Sequence, residues 1–191
     1  MMKRITLLLF FILQFFWGYA QKCKIDSVVD SSDGTTAYYT ENWGNYQSGQ
    51  NNMLIHILKI KNNYYLKGSY TRFMSRDFQI NLNNPFVICF EKGEDIILYP
   101  QDMSISEADR FDFISTMESW NRSCDVLYKI EKEQLIFLMK NIPSQIKVYV
   151  TSEKIKTKNT DSLGKYECLN YRIKYWHKMV VKAIECILTV K

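Results

Sequence analysis

The chain has 191 residues, with 25 Lys and Arg against 20 Asp and Glu, a formal charge of +5. Hydrophobic residues make up 47%, while Gly (7) and Pro (3) are scarce, which excludes a disordered or collagen-like chain and favours strands. The slight basic excess is not gathered into any Lys/Arg tract, so nucleic acid is not an expected partner, and no motif implies a cofactor.

The chain opens MMKR, with Lys3 and Arg4 before the apolar run ITLLLFFILQFFW. Crossing a hydrocarbon core takes roughly twenty apolar residues, and this run is shorter and contains Gln14. A basic start, a short apolar centre and small residues at Gly18 and Ala20 describe a secretory signal peptide over residues 1–20, cleaved after Ala20. Gln21 then begins a single exported domain, 21–191, without a transmembrane segment and destined for the periplasm or the medium. Loss of Lys3 and Arg4 takes the charge from +5 to +3. Acylation of Cys23 is not expected, because Lys22 stands where a lipoprotein needs a small residue.

Downstream, the turn signal Ser31-Ser32-Asp33-Gly34 separates two short strands within residues 24–40. NMLIHILKIK and YYLKGSY flank Asn62-Asn63 and read as a hairpin, and FVICFE and IILYP flank a turn containing Gly93 and read as another. Residues 101–123 read as a long loop leading into a strand near 111–118. A short helix is expected near 131–141: Glu131 and Glu133 suit its N-terminal dipole, and Pro143 prevents its continuation. In QIKVYVT, Ile146, Val148 and Val150 alternate with Lys147, Tyr149 and Thr151, the period of a half-buried strand. Tyr166, Leu169, Ile173, Trp176, Val180, Ala183 and Ile187 recur at threes and fours, which predicts one long amphipathic helix over 162–188, capped by Asp161 or Ser162. The whole is an α+β chain, mainly antiparallel β-sheet with two helices.

The order of these pieces carries a resemblance. VDSSDGTTAYYTENWGNY, with Asp30, Gly34, Thr40 and Trp43, resembles the opening of a group of small secreted proteins from Gram-negative, Bacteroidetes-type bacteria. KNNYYL, EKGEDIIL and YKIEKEQLIFLMKNIPSQIKVYVT are similar to its later strands and helix. The resemblance implies export and a single domain, and implies no catalytic residues. Asp26-Ser27-Val28 and Asp161-Ser162-Leu163 also resemble the O-glycosylation sequon of such bacteria, which makes Ser27 and Ser162 candidate acceptors.

Candidate chemistry is sparse. Five cysteines, Cys23, Cys89, Cys124, Cys168 and Cys186, leave an odd thiol in any intramolecular pairing scheme. Their spacing suggests no metal site. A single helix over 162–188 would hold Cys168 and Cys186 too far apart to bond. Cys89, within FVICFE, reads as a buried thiol, so disulfide candidates are Cys23, Cys124, Cys168 and Cys186. Cys124 with His177 is the one thiol–imidazole combination that a hydrolase could use, although Lys174 and Lys178 suit a solvated histidine. Glu107, Asp109 and Asp112 could serve acid–base chemistry but equally suit a solvated loop, and His56 reads as a satisfied core or edge residue. Tyr38, Tyr39, Trp43 and Tyr46 lie among Asn42, Asn45, Gln47, Gln50, Asn51 and Asn52, rings and amides that suit sugar or peptide binding. The leading expectation is therefore a non-enzymatic binding domain for an envelope protein or glycan. The alternatives are a hydrolase using acidic residues or Cys124, and a structural subunit associating through Ile173, Trp176 and Val180.

Overall fold

Alternation along the chain sets the core. In the computed structural model, which describes residues 24–40, 45–73, 77–108, 121–152, 166–173 and 177–190, Met53, Ile55 and Ile57 on one strand are at most 1% exposed while their neighbours are half-buried. Mostly antiparallel β-sheet results, with two helices. The signal segment, Cys23, Trp43, Asp109, Asp112, Ser162 and the strand expected near 111–118 lie outside the described residues.

Seven strands form the first sheet: β1 (Ile25–Val29), β2 (Thr36–Thr40), β3 (Asn45–Ser48), β4 (Asn51–Ile60), β5 (Asn63–Arg72), β10 (Glu107–Ala108) and β11 (Arg122–Ile130). They run in the order β1-β2-β4-β5-β11-β10, with β3 paired to the remaining length of β4. The second sheet holds β6 (Phe78–Ile80), β7 (Phe86–Phe90), β8 (Ile96–Leu98), β9 (Ser104–Ile105), β12 (Pro143–Ser152) and β13 (Glu167–Arg172), in the order β8-β7-β12-β6-β9 with β13 on β12. Helix α1 spans Lys132–Lys140 and α2 spans His177–Thr189.

The two sheets meet through one hydrophobic cluster. Phe86 of the second sheet packs at a tilt against Tyr128 of the first, ring centroids 4.9 Å apart and planes at 37°. At the margin of the core, Arg72 on β5 and Glu167 on β13 form a two-pronged ion pair, both contacts 3.0 Å. Inside, Tyr70 donates its hydroxyl to Tyr128 at 3.1 Å. Gly68, two residues before Tyr70 and on the same inward face, leaves the room in which that ring lies.

Helix α1 sits where the sequence places it. The Glu131 backbone N–H donates to Gln134 Oε1 at 3.0 Å, and the backbone and side-chain amides of Asn141 donate to the Phe137 carbonyl at 3.0 and 2.9 Å. Ile146, Val148 and Val150 on β12 are all 0% exposed, as their alternation requires.

Two expectations are corrected. The segment read as the first turns of a long helix is instead β13, so the C-terminal helix begins only at His177. Leu169, Tyr171 and Ile173 also alternate, and pairing Val148 with Leu169 and Ile146 with Tyr171 buries Leu169 and Tyr171 against the core. A β12 edge with free hydrogen-bonding groups outweighs local helical spacing, the more so as Asn170 and Tyr171 are modest helix formers. Cys168 and Cys186 therefore do not share a helix. The β4–β5 connection is also one residue earlier than expected: Lys61, with φ 55°, and Asn62 make the turn, and Asn63 already pairs with Ile60.

Candidate functional site

The side chains of β12 that do not enter the core lie on the outer face of the second sheet. Register brings distant parts of the sequence together there. Ile97 on β8 lies opposite Val87 on β7, Val87 opposite Lys147 on β12, and Lys147 opposite Asn170 on β13. One row along, the Tyr149 N–H donates to the Pro85 carbonyl and Tyr149 lies opposite Cys168. Tyr99, two residues beyond Ile97, continues the outward side of β8, because Ile96, Leu98 and Pro100 are buried while Ile97 and Tyr99 are exposed.

Ile97 is 52% exposed and Tyr99 54%. Tyr149 and Cys89 on this face are buried but stand outside the central cluster. Gln145 Nε2 donates to Asn170 Oδ1 at 3.0 Å, fixing a polar margin beside the apolar rows. Desolvation pushes the Cys89 thiol up to about 11, so no reactive thiolate is available there near neutral pH. Exposed Met103 and Ile105 follow within a few residues of Tyr99.

The aromatic and amide segment is distributed differently. Tyr46 is buried on β3, its phenol pushed up by desolvation. Tyr38 is half-buried and packs against the core, and Tyr39, its neighbour in β2, is half-buried on the opposite side of the strand. Tyr38, Tyr39 and Tyr46 thus form no single outward platform.

Cys124 is a free, buried thiol opposite Tyr70, pushed up to about 12 by desolvation and then by Asp125. It belongs to the hydrophobic core. The Cys168 thiol donates to Asn170 Oδ1 at 3.5 Å. His56 Nδ1 lies 3.1 Å from the Thr40 carbonyl oxygen and is satisfied locally. Glu107 is exposed on β10, and Ser27 is exposed on the edge strand β1. Val180, Ile184 and Ile187 of α2 are 0% exposed, so the helix uses its apolar side within the chain.

Among the described residues no three His, Cys, Asp or Glu side chains gather as metal ligands, and no helix is long and apolar enough to cross a membrane. Sequence reasoning passed over the outer face because its residues come from four separate strands. The signal was the alternation of IILYP and of QIKVYVT, which marks Ile97, Tyr99, Lys147 and Tyr149 as facing away from the core.

Fold and face together define a mostly antiparallel two-sheet structure with apolar side chains exposed on the outside of its second sheet. No protein-family model, curated protein or solved structure matches the chain.

Proposed function

We propose that the protein is an exported, non-enzymatic binding domain that engages another protein through the outer face of the second sheet. The observation that carries this reading is the side-by-side exposure of Ile97 (52%) and Tyr99 (54%) on an otherwise ordered sheet face backed by Val87, Pro85 and Tyr149. Single exposed apolar side chains are ordinary, whereas a group of them rimmed by polar residues marks an interaction surface. Here the rim is Gln145, Lys147 and Asn170. Covering such side chains contributes about 25 cal/mol per Å² of apolar area removed from water.

A protein suits this surface better than a glycan. Aliphatic Ile97 and Val87 beside one tyrosine offer an apolar anchor site of the kind found at the centre of protein interfaces. Sugar binding calls for rings presented with amides, and that combination is broken up by the burial of Tyr46 and the packing of Tyr38. The raised thiols of Cys124 and Cys89 speak against a cysteine hydrolase. Export is supported by the N-terminal segment, and Ser27, the candidate O-glycan acceptor, is exposed on β1.

The test compares the native protein with Ile97→Ser/Tyr99→Ser as baits for a solubilised envelope fraction of the producing cells. A protein retained by the native bait and lost by the folded variant supports the reading, and an identical set on both baits refutes it. N-terminal sequencing of the envelope-derived chain should begin at Gln21. An intact Met1 would refute export.

A further inference from the structure

Strand β1 closes one end of the first sheet and, among the described strands, pairs with β2 alone. Its ladder fixes which backbone groups face which way. The Asp30 N–H donates to the Thr35 carbonyl at 2.8 Å, and the register runs unbroken from Val29 opposite Thr36 to Ile25 opposite Thr40. In an antiparallel ladder, residues that bond one neighbouring strand alternate with residues that bond the other way. Asp26, Val28 and Asp30 therefore bond β2, and Ile25, Ser27 and Val29 turn their N–H and C=O groups to the outer edge. Asp26, Ser27, Val28 and Val29 are all exposed, the two valines at 56% and 61%.

We infer that this edge pairs with the β1 edge of a second copy of the chain, antiparallel about a two-fold axis at Ser27. The first sheet then runs continuously through a dimer.

The residues of the strand favour that occupant. Centred on Ser27, the pairing sets Ile25 opposite Val29 of the second copy, Asp26 opposite Val28, and Lys24 opposite Asp30. Opposite charges meet at both ends of the strand, and no like charges are opposed. Sliding one strand by two residues, the smallest step that keeps outward-bonding residues together, loses this match. In one direction it sets Asp26 opposite Asp26 of the second copy, and in the other opposite its Asp30. Like charges directly opposite are destabilising, so a single register is selected.

The faces agree with the register. Ile25 packs against the core, and Val29 shares its face by alternation. Pairing lays Val29 beside Ile25 of the second copy and takes an exposed β-branched side chain out of water. The strand also lacks the devices that guard a free edge, having no proline, no lysine and no bulge between Ile25 and Val29. A two-fold contact asks only that one patch be complementary to itself, which this strand is. The edge belongs to the first sheet, so the dimer stands or falls independently of the protein partner proposed for the second.

The full chain, isolated from its own cells, is followed by sedimentation equilibrium across a concentration series. Twice the chain mass is expected. Ser27→Pro should return the chain to monomer, because proline removes an N–H that the β1–β2 ladder does not use. Ser27→Cys gives a check that does not depend on the folding of the proline variant. Across a hydrogen-bonded antiparallel pair the Cα atoms are about 5.5 Å apart, within disulfide reach. Oxidised glutathione should therefore join two copies through the introduced thiols, and should fail to do so in Val28→Cys, where the two thiols stand diagonally rather than opposite. A monomer at every concentration overturns the dimer, as does a dimer that survives Ser27→Pro or one that is lost in Ile97→Ser/Tyr99→Ser. Cross-linking of Ser27→Cys to a different protein, or a glycan carried by Ser27 in the native chain, likewise overturns it.

Discussion

Gly68→Ala tests the packing of the core directly. A Cβ built on Gly68 lies 2.7 Å from Cζ and 2.8 Å from Cε2 of Tyr70, and closer still to its hydroxyl oxygen. The ring cannot simply turn aside, because Tyr70 is 0% exposed and donates to Tyr128 at 3.1 Å. Overpacking of this kind costs about 1–3 kcal/mol. Moving the ring away from Tyr128 leaves a buried hydroxyl unpaired, another ~1–3 kcal/mol. Gly68 does not use a positive φ, so alanine returns about 0.4–1 kcal/mol through the unfolded chain. The expected net loss is roughly 2–4 kcal/mol, read from urea denaturation with an unchanged slope. In a Tyr70→Leu background the ring is gone, and Gly68→Ala should cost close to nothing. A loss within about 0.5 kcal/mol of zero in the native background, or the same loss in both, would refute the reasoning.

Two further outcomes follow from the buried polar groups. Glu167→Ala strips the Arg72 guanidinium of a carboxylate that is 16% exposed, and should destabilise the chain by about 2–4 kcal/mol, whereas Arg72→Met/Glu167→Leu, which removes both charges, should recover most of that in the same urea assay. The second outcome concerns alkali. Burial raises Cys124 from 9.0 to about 12 and Cys89 from 9.0 to about 11, and raises Tyr70, Tyr128 and Tyr171 above their usual 10.0. The folded chain holds these protons more tightly than the unfolded one, so their contribution is complete below pH 9.0 and is lost as pH climbs through the raised values, at about 1.4 kcal/mol per pH unit for each group that ionises only on unfolding. Urea midpoints should hold steady from neutrality to about pH 9 and fall steeply above it. A flat profile to about pH 11 would contradict the burial of these groups.

Much of the architecture was legible locally. Glu131 and Pro143 bracket α1, and Ile146, Val148 and Val150 announce β12, because caps and alternation are properties of neighbouring residues. The stretch 166–173 was misread because Tyr166, Leu169 and Ile173 satisfy a helical spacing while Leu169, Tyr171 and Ile173 satisfy an extended one. The edge of β12 decides between them, and no local pattern reveals that edge. The outer face was legible in fragments only. Alternation turned Ile97 and Tyr149 away from the core, but their assembly with Val87, Lys147 and Asn170 depends on the strand order β8-β7-β12-β13. The composition around Tyr38 and Tyr46 suggested a ring platform, and register sent Tyr46 inward opposite Met53 instead.

Strand β12 pairs with β7 and β6 and, along its other edge, with β13. Its consequence is temporal. β7 is synthesised long before β12, across the whole of β9 to α1, and β13 comes later still. Loop closure over such separations is slow, and sheets built from them assemble on the millisecond-to-second scale typical of high contact order. Until β12 arrives, one edge of β7 has no strand to pair with, and an unpaired edge is open to pairing between chains. The second sheet therefore cannot be completed until β13, the last of its strands in the sequence, has been made.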